Sequence, residues 1–401
     1  MDVLMLAWDD VSRVDATPEV CPSLAAFRAQ GLDLRLAFAN PVCSQSRAVV
    51  TFGAQGRTLG ILLAMNPEEP DGPIPPASWP TLPGVLAGAG YATALVGKWH
   101  LGRAPSGAQP AMAPIERGYQ TWLAGTLANL APPDPPLGLP SYRRWLRHDA
   151  TAAGWTAAEE TKYATLAQVE EAEAWWVANA GAPRFLHVSL NEPHGPFTLG
   201  IPSELLAGWP APTTMSNTRA RFLAKLRAAD VVLGRLLALP GVEDALVLLY
   251  ADNGTASHAA GPTEDPEKLK TTTFEGGIHV PAASRYPGGP VGGSYGQLVH
   301  LVDLPRFVLE TLGVPVPAEW DGVTQPPRTH VIAEAELADG TLEQCARIAD
   351  WKLRARTPPG GTKLEELYDL ANDPSEVSPV PLGQANPTLL AGLRSVLYPA
   401  P

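Results

Sequence analysis

The chain is poor in cysteine, short of positive charge and without a long apolar run. Its 401 residues include three cysteines, Cys21, Cys43 and Cys345, a sparse and odd set that excludes a disulfide framework. Lys and Arg number 29 against 41 Asp and Glu, and the net charge of -12 excludes nucleic acid and anionic membrane surfaces as natural partners. An anionic substrate would have to be drawn in by a local cationic cluster, because the field of the whole chain repels it. No stretch approaches the ~20 apolar residues of a membrane span. No charged leader followed by an apolar run opens the chain, so as written it reads as cytoplasmic, and as periplasmic or secreted if it is a mature form. There is no internal repeat. Charged residues at 17% against hydrophobic residues at 45% are the balance of a globular chain with a large core.

Short apolar runs bounded by turn residues, at 2–7, 33–38, 92–97, 184–190 and 245–251, read as buried strands of a parallel sheet. Helical segments lie between them. Leu24, Phe27 and Arg28 lead to a stop at Gly31, and residues 158–180 run from an acidic start to Trp175 and Trp176. Residues 217–238 put Phe222, Leu226, Ala229 and Leu233 at helical spacing before Pro240 and Gly241. This alternation predicts an α/β fold, with a large central sheet, mixed and mostly parallel, flanked by helices. From about residue 316 the pattern changes. Val331–Glu336, Ala346–Leu353 and Glu366–Leu370 read as short strands joined by Gly and Pro turns, with a last helix around 387–397. Residues 131–140 read as a stiff, proline-rich surface loop.

In such a sheet, ligands sit beyond the carboxyl ends of the strands. Asp9 and Asp10 follow the first strand, Lys98 the third, Asp252 and Asn253 the fifth. They therefore read as one site. Their oxygen donors suit a hard cation, Ca²⁺ or Mg²⁺, and not zinc; the alternative is that they only close a strand and form a tight turn. Cys43 stands at the start of a helix, four residues before Arg47, where the helix dipole and the guanidinium favour a thiolate or a bound anion. A packed thiol is the alternative there, and the expected state of Cys21 and Cys345. His100, His194 and Lys270 add proton carriers and charge, although each alone also suits a structural or solvated role. Trp122, Trp145 and Trp155 suit either ring stacking or core packing.

Taken together, seven runs resemble signatures of the sulfatase family, in family order and over nearly the whole chain. Asp2 to Asp10 is a strand ending in two carboxylates. Cys43-Ser44-Gln45-Ser46-Arg47 is similar to C-x-P-S-R, with Gln45 at the family's proline. Val96 to Gly102 is similar to G-K-W-H-L-G, Leu190 to Pro196 to the histidine loop, and Leu249 to Gly254 to S-D-N-G. Lys270 to Ile278 resembles K-G-T-T-Y-E-G-G-I, and Glu366 to Pro374 resembles E-L-Y-D-L-x-x-D-P. His279 stands at a family arginine and reads as structural.

The resemblance implies a catalytic domain over 1–315 and a small antiparallel-sheet subdomain over 316–401. It implies that a formylglycine-generating maturase oxidises Cys43 to formylglycine, whose hydrate attacks a small-molecule or carbohydrate sulfate ester. The metal, Ca²⁺ with Mg²⁺ as the alternative, would be held by Asp9, Asp10, the group derived from Cys43, Asp252 and Asn253. Arg47 and Lys98 would hold the hydrate, and His194 and Lys270 would contact the sulfate, one of them protonating the departing alcohol. His100 would take the proton whose loss expels sulfate. Two other readings stay open: a phosphodiesterase or phosphonate monoester hydrolase on the same scaffold, and an inactive anion-binding relative.

Overall fold

The computed structural model describes residues 1–65, 75–130, 142–197, 199–213 and 217–398. Ten strands build its central sheet: β1 (Val3–Trp8), β2 (Leu32–Phe38), β3 (Ala92–Lys98), β4 (Thr121–Thr126), β5 (Trp145–Thr151), β6 (Gly154–Glu160), β7 (Arg184–Ser189), β8 (Leu246–Ala251), β9 (Ala282–Arg285) and β10 (Gly293–His300). They lie in the order β10-β2-β9-β8-β1-β7-β3-β4-β5-β6. The middle, β8-β1-β7-β3-β4, is parallel throughout, whereas β9 and the β5–β6 hairpin pair antiparallel. The sheet is thus mixed and mostly parallel, as its sequence pattern predicts. All of β1, β7 and β8 is buried, which is why these strands read as unbroken apolar runs.

Helices flank the sheet in two sets. Pro22–Gln30 and Ala164–Ala178 each contact Thr218–Leu237, and Cys43–Phe52 contacts Leu82–Gly88 and Asp303–Leu312. One tertiary contact explains how the first of these helices starts. Cys21, its N-cap residue, makes no side-chain cap. The buried Asp230 of Thr218–Leu237 does so instead, accepting from the N–H groups of Ser23 (2.9 Å) and Leu24 (2.8 Å). Asp230→Ala is therefore expected to lower stability by about 2 kcal/mol, since it removes a cap and leaves two donors unpaired. Urea denaturation measures this; an unchanged midpoint would show that water replaces the cap.

Two expectations are corrected. Residues 158–180 do not form one helix: Glu159 and Glu160 belong to β6, held there by pairing with β5 and by the Arg144–Glu159 ion pair, and the helix starts at Ala164. Nor is Ala346–Leu353 one strand. It spans the end of β12 (Leu342–Arg347), a turn and the start of β13 (Trp351–Thr357), so Ala346 and Leu353 are cross-strand partners. With β11 (Val331–Glu336) and β14 (Leu364–Asp369) these strands form a four-stranded antiparallel sheet. Residues 131–140 lie outside the described residues. Trp122 and Trp145 are core residues, whose indole N–H groups donate to Gly97 O and Lys162 O, while Trp155 is exposed.

The C-terminal sheet grips the segment that follows Lys270. Buried Lys352 reaches Thr273 O (3.2 Å), Glu275 (2.7 Å) and Glu376 (2.9 Å). Arg354 lies 3.3 Å over the ring of Phe274.

Candidate active site

The ends of three neighbouring strands make the floor of the site. After β1 the chain turns, and Asp10 adopts a φ of 70°, a left-handed conformation that Asp tolerates better than most residues. Asp9 N–H donates to Glu192 O just beyond β7 (3.1 Å), and Asp252 N–H, just beyond β8, donates to Trp8 O (3.0 Å). Asp10 N–H donates to Asp252 Oδ1 (3.2 Å). These cross-links bring three carboxylates together beyond the carboxyl ends of the strands.

Cys43 opens the helix Cys43–Phe52 and points into this cluster. Its Sγ lies 3.6 Å from Asp9 Oδ1, 3.9 Å from Asp10 Oδ1 and 3.2 Å from Lys270 Nζ. Ligand atoms of Asp9, Asp10, Cys43 and Asp252 all fall within 4.8 Å of one another. Asn253 Nδ2 donates to Asp10 Oδ1 (2.7 Å) and Gly254 O (2.8 Å), which leaves Asn253 Oδ1 buried without a hydrogen bond. Asp10 Oδ2 is likewise buried and accepts none. Buried oxygens left open around a knot of carboxylates fit a hard divalent cation.

The cationic groups close around the same atoms. Arg47 Nη2 lies 2.7 Å from Asp252 Oδ2 and 3.6 Å from Asp9 Oδ2, while Nη1 donates to Ser189 Oγ and to Lys98 O (3.4 Å). Lys98 pairs with Asp9 Oδ2 and donates to Asn129 Oδ1 (2.5 Å). Lys270 Nζ lies 2.5 Å from Asp10 Oδ1, and His194 Nε2 lies 3.6 Å from Asp10 Oδ2. His194 Nδ1 faces the carbonyl of Gly195 at 2.6 Å, so it carries the proton and leaves Nε2 toward the site. His100, the tenth residue proposed from the sequence, is buried with Nδ1 unpartnered, and among the described residues no side-chain hydrogen bond or ion pair joins it to the other nine. Its field is nonetheless set by Lys98 and Arg47.

Charge balance decides the protonation states. Burial alone would raise the carboxyl of Asp9, but Lys98, with His194, Arg47 and Lys270, outweighs it and holds Asp9 well below the usual carboxylate range. Burial raises Asp10 and Asp252, with repulsion from Asp9 adding to it and Lys270 or Arg47 opposing. A divalent cation would relieve both strains. Burial lowers His194 to about 3 and His100 well below its ordinary value, so both imidazoles are neutral at pH 7. Burial pushes the Cys43 thiol up to about 12, despite Lys270 and Lys98. The thiolate favoured by the helix dipole is thereby corrected: desolvation outweighs the dipole, and Arg47 is engaged by Asp252 and Asp9.

Sequence reading missed Ser189 and Asn129, the partners of Arg47 and Lys98. Ser189 falls inside an apolar strand and Asn129 in a loop without a motif, so neither carried a local signal. It also missed Glu192, although that residue sits inside the histidine-loop run.

A family model described as Sulfatase matches residues 3–314, well over half of the chain. The chain belongs to the sulfatase family. N-acetylgalactosamine-6-sulfatase from Canis lupus familiaris is 28% identical over 337 residues, covering 78% of this chain and 62% of that protein. Thus the match spans about three fifths of that sulfatase's own length. Arylsulfatase A from Homo sapiens is 27% identical over 431 residues, covering 92% of this chain and 80% of the relative. Among solved structures, Ps i-CgsB in complex with k-i-k-neocarrahexaose superposes with a TM-score of 0.77 at 21% identity, covering 98% of this chain and 90% of the other. The two share a fold over nearly the whole of both chains.

Proposed function

We propose that this sulfatase-family chain hydrolyses sulfate esters of small molecules or carbohydrates. The nucleophile is a formylglycine made from Cys43 by a maturase, and the cation is Ca²⁺, with Mg²⁺ as the alternative, held by Asp9, Asp10, position 43, Asp252 and Asn253. One observation carries this reading: Cys43 Sγ stands where Lys270 Nζ and the carboxylates of Asp9, Asp10 and Asp252 converge, beside buried oxygens that make no hydrogen bond. The relatives' names, a saccharide sulfatase and an arylsulfatase, support the ester class.

When present, the cation supplies Lewis-acid stabilisation and the aldehyde hydrate supplies one hydroxyl to attack sulfur and a second whose proton can be removed. The chain's own groups do the rest. Arg47 and Lys98 are fixed by Asp252 and Asp9, so their charge faces the nucleophile with no reorganisation. Lys270 bridges Asp10 and position 43 and keeps its proton, because the carboxylates of Asp10, Asp9 and Asp252 outweigh burial. His100 is neutral with an unpartnered Nδ1, the state required of a base. One of His194 and Lys270 protonates the leaving alcohol. Lys270 enters charged, whereas His194 enters neutral.

A leaving-group series tests this. A proton donor matters most when the departing alcohol is a poor anion. The alanine variant of the donor should lose about 100-fold or more on alkyl sulfates and less than about 10-fold on nitrophenyl sulfate. Arg47→Ala and Lys98→Ala should cost similar factors on both, because they stabilise charge in either reaction. Absence of sulfate-ester hydrolysis by metal-loaded protein carrying the aldehyde, or faster cleavage of phosphate diesters, would overturn the reading.

A further inference from the structure

Tyr142 is fully buried and holds a φ of 66°, a region that a bulky side chain avoids. Its carbonyl accepts the N–H of Ala164 (2.7 Å), and its ring packs 5.5 Å from that of Tyr163. What this conformation delivers is one hydroxyl facing two carbonyls, Asn191 O at 2.7 Å and His194 O at 2.9 Å. These carbonyls bracket the segment that leads from β7 to His194, so a single side chain closes the loop.

Beneath the ring lies a cation. Lys225 Nζ is 3.1 Å from the centroid of Tyr142, and 3.4 Å from Glu192 Oε1, which also accepts the hydroxyl of Tyr163. Lys225 and Glu192 are both wholly buried. Among the described contacts, neither side chain touches Cys43 or its carboxylates; Glu192 reaches the site through its backbone, whose carbonyl accepts Asp9 N–H. Burying such a pair costs free energy that an apolar filling of the same volume would not. A cation against the ring draws electron density from it and strengthens the hydroxyl as a donor.

We propose that Tyr142, seated on the buried Lys225–Glu192 pair, is the positioning residue for His194. By fixing the loop carbonyls it sets the imidazole with Nδ1–H on Gly195 O and Nε2 toward Asp10. This rests on the role of His194 in sulfate-ester hydrolysis proposed above.

Tyr142→Phe removes the hydroxyl and keeps the ring, its shape and its contact with Lys225. It should lower kcat on alkyl sulfates about tenfold, with less change in KM and a smaller loss on nitrophenyl sulfate, the pattern of His194→Ala in weaker form. In the His194→Ala background the same substitution should cost nothing further. Histidine-selective ¹⁵N NMR of the metal-loaded protein supplies a readout free of turnover. The His194 signals, assigned by their loss in His194→Ala, should report the Nδ1–H tautomer in the wild type and a shifted or mixed state in Tyr142→Phe. Unchanged His194 signals, or losses that multiply in the double variant, would overturn the proposal. Failure of the sulfatase reading is separate: the wild type would turn over no sulfate ester, and the NMR comparison would still decide the positioning.

Discussion

Asp252→Asn is expected to fold like the wild type and to lose turnover by about 1000-fold or more. Asparagine is the informative replacement. Asp252 Oδ1 accepts Asp10 N–H, and Oδ2 lies 2.7 Å from the buried guanidinium of Arg47. Alanine would strand that guanidinium, and breaking a buried pair from one side costs about 3–5 kcal/mol, which would mix unfolding with lost catalysis. Asparagine keeps the volume and one acceptor, removes the charge and sets an amide NH2 in place of one oxygen, while Arg47 keeps Asp9, Ser189 Oγ and Lys98 O as partners. Without that charge the oxygen cluster binds a divalent cation more weakly. In chelator, the two proteins should melt within a few degrees of each other. On adding Ca²⁺ the wild type should gain about 2.7 kcal/mol at 100 times its Kd, and Asp252→Asn much less. Chelation should also silence the wild type, with Ca²⁺ or Mg²⁺ restoring it. Equal turnover and an equal thermal response in the variant would remove Asp252 from the metal site.

The same chemistry explains what the sequence could show. Asp9, Asp10, Lys98, Asp252 and Asn253 lie at or just beyond the ends of strands that read as plain apolar runs, because β1, β7 and β8 are covered on both faces. Their convergence is a property of the parallel sheet, and so was legible before any coordinates. The edges were not. β6 is exposed along almost its whole length, so no buried face imprints an alternation on it, and its acidic end passed for a helix start. The turn between β12 and β13 is short and lies between apolar residues that face each other across the hairpin, so the two strands read as one. Tyr142 and Lys225 carried no signal, since each acts through contacts tens of residues away in the chain. Protonation was misread at Cys43 for a related reason. The helix dipole is visible in a sequence, whereas the desolvation that defeats it depends on what the fold packs around the thiol.

Cys43→Ser is expected to abolish turnover, by about 10⁴-fold or more, while leaving fold and metal response intact. Serine nearly matches the thiol in size, and its hydroxyl can meet Asp9 Oδ1 and Lys270 as Sγ does. An unmodified cysteine lacks the second hydroxyl whose proton loss would expel sulfate, so activity should follow the converted fraction, not the total protein. The mass of the peptide carrying Cys43 measures that fraction, and hydrazide labelling should remove activity in step with it. Gln45 makes this quantitative. It is buried, its amide makes no hydrogen bond, and the first helical bond to Val42 O comes from the next residue, Ser46. Proline at position 45 therefore sacrifices no hydrogen bond in the folded chain. Gln45→Pro, produced beside a maturase that reads the C-x-P-S-R run, should raise the aldehyde fraction and the activity together, with turnover per aldehyde unchanged. Full activity from protein whose Cys43 is all thiol would end the formylglycine assignment and return the nucleophile to an unmodified side chain.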